Sequence, residues 1–138
     1  MNIIETSQVL ARIQAYHGGF ETSKEKVAAW HELLEPYTYR DCIEAVKDYF
    51  RNPGDWIMPS DIISRVKDYQ SRRLLELGGY LHLTEADEMA AFEDGTYSEK
   101  MNALTELAKS GAIAKPEYDA YHAGKIPLTH IARKEIGR

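Results

Sequence analysis

Between Trp30 and Val66 the chain reads WHELLEPYTYRDCIEAVKDYFRNPGDWIMPSDIISRV, and nearly every residue able to start or stop a helix stands where a helix needs it. Pro36 cannot continue the helix that carries Trp30 and Leu34. Thr38 can cap the next one, with Asp41 near its positive end. Asn52 precedes Pro53 and so leaves the helical region, and Pro53-Gly54 suits a type II turn in which glycine supplies the positive φ. Ser60 can cap a further helix whose first turn holds Asp61. Local signals that agree with one another this closely mark a specified helical fold.

The same punctuation runs on in both directions. Upstream, Thr6 is a candidate cap for a helix with Val9, Leu10, Ile13 and Tyr16 on one face, stopped by Gly18-Gly19. Thr22 and Glu25 have capping-box spacing ahead of the stripe Val27, Trp30, Leu34. The third helix carries Tyr39, Cys42, Ile43, Val46, Tyr49 and Phe50 on one broad face. The fourth is long, with Ile62, Ile63, Val66 and Tyr69 inward and Leu74, Leu75 and Leu77 before Gly78-Gly79. Downstream, Thr84 to Gly95, Thr96 to Gly111, Pro116 to Gly124 and a segment after Pro127 read as shorter capped helices. Thr96 and Glu99 have capping-box spacing, and Met101, Leu104, Leu107 and Ala108 form a stripe. The segments EMAAFEDGTYS and EYDAYHAGKIP share a pattern, for which two short helices with glycine stops are a better account than a repeat, because repeat architectures need about three units. The expectation is an all-α chain: a compact four-helix domain over 1–79, followed by a region of short helices over 80–138 able to bind a partner.

With 138 residues, such a chain can bury roughly two thirds of its unfolded surface without a disulfide or a metal. Cys42 is its one cysteine, which excludes an internal disulfide and a cysteine-based zinc site. A lone thiol, an N-terminus without a basic and apolar leader, and no long apolar run together point to the cytoplasm. The formal charge of -5 argues against a dedicated duplex-DNA binder.

Chemistry-bearing motifs are scarce. His31-Glu-Leu-Leu-Glu35 has glutamate where a zinc-protease helix needs its second histidine, so a solvated His-Glu pair is the better reading. His122 and His130 are separated by Pro127 at no common ligand spacing. There is no phosphate-binding glycine loop and no nucleophile elbow. Cys42 falls on an apolar face, which suits a core thiol rather than a nucleophile. An enzyme therefore ranks below an interaction module, and no cofactor or metal is implied. Tyr37, Trp56 and Met58 lie in or beside loops and are candidate partner contacts, since a loop tryptophan next to a methionine is a typical interface anchor. Charge is unevenly spread: Thr84–Glu99 holds six acidic residues and no basic one, while Lys125, Arg133, Lys134 and Arg138 oppose only Glu135 near the end. Arg72 and Arg73, with Arg65 and Lys67, form a second basic group on helix four. These cations, Lys125 included, are candidate partner contacts. They also support an alternative, a small nucleic-acid-binding regulator using helix four and the tail.

The pattern Trp30, Leu33, Leu34, then Tyr37 and Tyr39, then Ala45, Val46, Tyr49 and Phe50, then Trp56 to Pro59 leading to Asp61 and Ile62, resembles the replicative-helicase loader/inhibitor family of phage and prophage proteins. The resemblance covers about residues 3–70. It implies a compact four-helix N-terminal domain. It also implies a hexameric replicative helicase as partner, with an origin-binding initiator protein as a second one; the acidic charge and the lack of a long apolar run argue separately against direct nucleic-acid and membrane binding. In that family the helicase contact is attributed to a flexible C-terminal segment, whereas residues 84–138 here read as capped short helices.

Overall fold

A computed structural model describes residues 1–132 of the chain, and their regular structure is all helical. The helices are α1 (Ile3–Tyr16), α2 (Lys24–Leu34), α3 (Tyr39–Arg51), α4 (Pro59–Glu76), α5 (Glu85–Asp94), α6 (Tyr97–Ser110), α7 (Lys115–His122) and α8 (Leu128–Ala132). They form two compact units, one of residues 1–69 and one beginning at Gln70, with the division falling inside α4.

The first unit is built on α1, α2, α3 and the start of α4. The faces read from periodicity meet as expected: Val9, Leu10, Ile13, Trp30, Leu34, Cys42, Val46, Ile62 and Val66 are buried together, and Phe20 and Ile57 join them from loops. Burying aliphatic side chains of this size contributes on the order of 1.5–3 kcal/mol each. Tyr16 departs from its expected place in the core. It is 47% exposed, resting its ring 5.3 Å from that of Phe50 at the rim.

Helix starts follow the expected chemistry, though not always the expected residue. Thr38 caps α3 as predicted, accepting from the Asp41 N–H at 3.1 Å. Thr6 does not cap α1. Asn2 does, in a reciprocal capping box with Glu5, and Thr6 is buried inside the helix with its hydroxyl 2.9 Å from His31 Nδ1. Thr22 likewise yields to Ser23, whose hydroxyl accepts from Lys26 N. At α4 the first helical residue is Pro59, which needs no N–H partner there. Ser60 lies within the first turn, and the Asp61 carboxylate reaches back to accept from Met58 N at 2.8 Å.

The second unit buries Leu77, Leu83, Ala91, Leu104, Leu107, Ala108, Ile113, Tyr118, Tyr121 and Ile131. Thr84 caps α5 as predicted. Gly95 and Gly111 end α5 and α6 with φ of 75° and 83°, a left-handed conformation costly for any residue with a Cβ. Thr96 does not make the predicted capping box: its hydroxyl turns back to Asp94. The α7 helix starts one residue before Pro116. The two segments with a shared pattern occupy unlike environments, since Phe92 of the first is exposed and the matching Tyr121 of the second is buried.

Candidate functional site

The loop between α3 and α4 is held by one residue and displays two. Ile57 is fully buried in the first core, while Trp56 and Met58 on either side are 46% and 51% exposed. An aromatic group from the preceding connection supports Trp56. Phe20, in the link between α1 and α2, is fully buried and presents its ring 5.7 Å from Trp30 edge-on and 5.7 Å from Trp56. His17 meets Trp56 edge-on at 5.1 Å. The Lys26 ammonium stands 3.9 Å from the centre of the Phe20 ring and 5.7 Å from that of Trp56, and donates to the Glu21 carbonyl at 2.9 Å. A cation over an aromatic face contributes about 0.5–1 kcal/mol at exposed sites and fixes the ring below it. Trp56 is thus a half-exposed indole on a rigid aromatic base, beside an exposed thioether. The seated indole loses little side-chain freedom when it is covered.

Tyr37 is half-buried against the same core, and its carbonyl accepts from the Met1 amine at 3.0 Å. Tyr37, Trp56 and Met58 therefore all belong to the first unit. Arg72, Arg73 and Lys125 belong to the second. Arg73 is half-buried and donates to the Lys109 carbonyl at 2.8 Å, whereas Arg72 and Lys125 are exposed. Of the further cations considered on helix four, Arg65 donates to the Asp61 carbonyl at 2.8 Å and lies 5.4 Å from the Tyr49 ring. Arg133, Lys134 and Arg138 lie outside the described residues.

Sequence reasoning missed Phe20, His17 and Lys26, the three residues that seat Trp56. The available signal was a large aromatic directly after Gly18-Gly19, where a solvated loop would have no use for one.

Cys42 is fully buried, and burial, reinforced by the adjacent Asp41 carboxylate, pushes its thiol up to about 12, so it stays protonated near neutral pH. His31 is half-buried against Thr6. Among the described residues no three His, Cys, Asp or Glu side chains gather to hold a metal ion, and no helix is long and apolar enough to cross a membrane.

Residues 1–56 match the family model of the gene 39 protein, N-terminal domain. The matched span takes in all of α1, α2 and α3, the seat formed by His17, Phe20 and Lys26, and ends on Trp56. No curated protein and no solved structure matches the chain. The helix pattern and the aromatic-bearing core of the first unit agree with this match: residues 1–56 are similar to the gene 39 protein N-terminal domain, that of the phage helicase loader/inhibitor proteins.

Proposed function

We propose that this chain is a non-enzymatic DNA replication adaptor of phage type, which binds a hexameric replicative helicase in the cytoplasm and regulates or loads it. The observation that carries the reading is the match of residues 1–56 to a domain of helicase-associated phage proteins, a family non-catalytic in general. Trp56 and Met58 are the contacts proposed for the first unit, together with Tyr37, which is tied to Met1 at the other end of α1. An indole seated on Phe20 and Lys26 meets a partner with its rotamer already chosen, which favours a long-lived contact. The second half is a further partner-binding region in this reading, through Arg72, Arg73, Lys125 and the tail cations Arg133, Lys134 and Arg138. An origin-binding initiator is the second partner proposed.

The test is co-purification with the host replicative helicase, with ATPase activity followed in the mixture. A complex at micromolar or lower concentration is expected, together with a changed ATPase rate. Trp56→Ala combined with Met58→Ala should weaken the complex by about tenfold or more, the loss typical of truncated interface anchors. Absence of a complex at micromolar concentrations, with ATPase unaltered, would overturn the reading.

A further inference from the structure

The α5 helix turns one face to its own core and an unusual face away from it. Ala91 is fully buried, and Asp87 beside it accepts the Tyr121 hydroxyl at 2.6 Å. The outward side carries the exposed Glu85, Met89, Phe92 and Glu93, with the half-buried Glu88 at its edge toward Ala91; residues three, four, seven and eight apart share one side of a helix. Met89 is 62% and Phe92 60% exposed. Phe92 does not swing freely: its ring stacks on Tyr97 at the start of α6, with centres 4.4 Å apart and planes within 13°. Two large apolar side chains, one of them held by a neighbouring ring, therefore stand in water between carboxylates.

Structural reasons account for part of the charge. Glu85, Asp87 and Glu88 lie in the first turn, where the helix dipole favours anions. Asp94 is held by the Thr96 hydroxyl and N–H and by Lys100 at 3.7 Å. Glu93 has neither excuse. It sits in the last turn, at the negative end of the dipole, with no basic residue in that turn, and among the described residues it has no cationic partner. Glu85 and Glu88 also have no cationic partner among the described residues. Thr84–Glu99 holds six carboxylates, more than the chain's formal -5, so the rest of the chain is net +1. The negative charge is concentrated around these two apolar anchors.

We infer that the outer face of α5 is a docking site for a basic amphipathic segment of a partner protein, with Met89 and Phe92 as apolar anchors and Glu85, Glu88 and Glu93 pairing with its cations. Charge complementarity selects this occupant. Nucleic acid and anionic membrane surfaces are repelled by the same carboxylates. A second copy meeting this face with its own α5 would place like charges together. The site lies beyond the matched residues and is distinct from the Trp56 platform.

The test uses the full chain and two synthetic, fluorescently labelled peptides. One is a Lys/Leu peptide with helical amphipathic spacing. The other has the same composition, scrambled so that no apolar face forms. Neither contains helicase sequence, so the outcome is independent of the function proposed above. Fluorescence anisotropy should show micromolar binding of the amphipathic peptide and at least tenfold weaker binding of the scrambled one. Met89→Ala with Phe92→Ala should weaken binding about tenfold. The triple change Glu85→Gln, Glu88→Gln, Glu93→Gln should weaken it and flatten its salt dependence. Because Phe92 packs on Tyr97, Met89→Lys serves as a second variant: it removes no internal contact of that stack and sets a cation in the site, and should also weaken binding about tenfold. Equal binding of the two peptides, no binding, or unchanged binding by both the Met89/Phe92 and the Met89→Lys variants would overturn the inference. So would sedimentation showing self-association that Met89→Lys abolishes, which would make a second copy the occupant.

Discussion

The two units solve the same problem, closing a small helical core, with different materials. In the first, apolar side chains from α1, α2, α3 and the start of α4 meet one another, and the loops add Phe20 and Ile57. In the second, the segment before α5 has no helix to satisfy its backbone, and two tyrosine hydroxyls do so. Tyr118 accepts from His82 N at 2.9 Å, and Tyr121 accepts from Thr84 N at 2.9 Å while donating to Asp87 at 2.6 Å. The first unit depends on volume and the second partly on individual hydrogen bonds, so equal-sized lesions should have unequal consequences.

Phe20→Ala tests this most severely. It empties the fully buried seat shared by Trp30 and Trp56, and should cost about 3–5 kcal/mol. Tyr121→Phe keeps the ring and removes only the hydroxyl. It leaves the Thr84 N–H without its acceptor and should cost about 1–3 kcal/mol. Both tryptophans lie in the first unit, so indole fluorescence during denaturation reports that unit, while far-ultraviolet circular dichroism reports all the helices. The expected outcome is that Phe20→Ala moves the fluorescence transition and Tyr121→Phe moves only the dichroism. If Tyr121→Phe shifts both equally, the contrast between the units fails as a description of their stability.

Alkaline pH separates them next. The native thiol of Cys42 holds its proton up to about 12, against an ordinary value of 9.0. Above pH 9 the unfolded chain releases this proton and the folded one does not, so the unfolded state binds fewer protons and stability falls as pH rises. The loss should run at about 1 kcal/mol per pH unit between 9 and 12, and be absent below 9. Cys42→Ala should remove the slope between pH 9 and 10 from the fluorescence transition and reduce it above 10, where Tyr69 of the same unit, raised by burial and its bond to Asp48, still contributes, even though the change lowers stability at neutral pH. Tyr121 is also shifted upward, by burial and then by its bond to Asp87, so the second unit should weaken in the same direction but only above about 10, the ordinary tyrosine value. A variant slope equal to the parent's would remove Cys42 from the account.

Much of this architecture was legible before any coordinates. Thr38, Thr84, Gly95 and Gly111 act as expected because caps and glycine stops are local, and the stripes through Val9, Trp30, Val46 and Leu104 are buried because periodicity is local too. The seat of Trp56 was not legible. It joins His17, Phe20, Lys26 and Trp56 across two loops, and nothing in a one-dimensional pattern brings an aromatic after Gly18-Gly19 beneath an indole after Pro53-Gly54. The bonds of Tyr118 and Tyr121 were equally hidden, since their partners lie more than thirty positions away and their hydroxyls look idle in a helical stripe. Trp56 and Met58 could be nominated from loop position alone, but their support could not.

The smallest effects test register rather than fold. Besides Thr6, which is buried inside α1, each unit has a threonine at a capping position by sequence that makes no cap in the structure. Thr22 is displaced by Ser23, whose hydroxyl accepts from Lys26 N at 3.1 Å, and Thr96 bonds to Asp94 while Lys100 N is served by the Thr96 carbonyl. Thr38 and Thr84 do cap, accepting from Asp41 N and Asp87 N. Replacing a true cap by alanine removes the acceptor of an otherwise orphaned N–H and should cost about 1 kcal/mol, so Ser23→Ala and Thr38→Ala should lower the fluorescence midpoint. Thr22→Ala leaves every cap intact and should lie within about 0.5 kcal/mol of the parent, as surface changes away from special features do. Thr84→Ala should cost more than Ser23→Ala, because Thr84 accepts from Asp87 N and its side chain also lies 3.4 Å from the Tyr121 hydroxyl. Thr96→Ala should be nearly silent, since Asp94 is exposed and keeps the Thr96 N–H at 3.0 Å. A Thr22→Ala cost matching that of Ser23→Ala would place the start of α2 one residue earlier and undo the register on which Lys26 reaches Phe20.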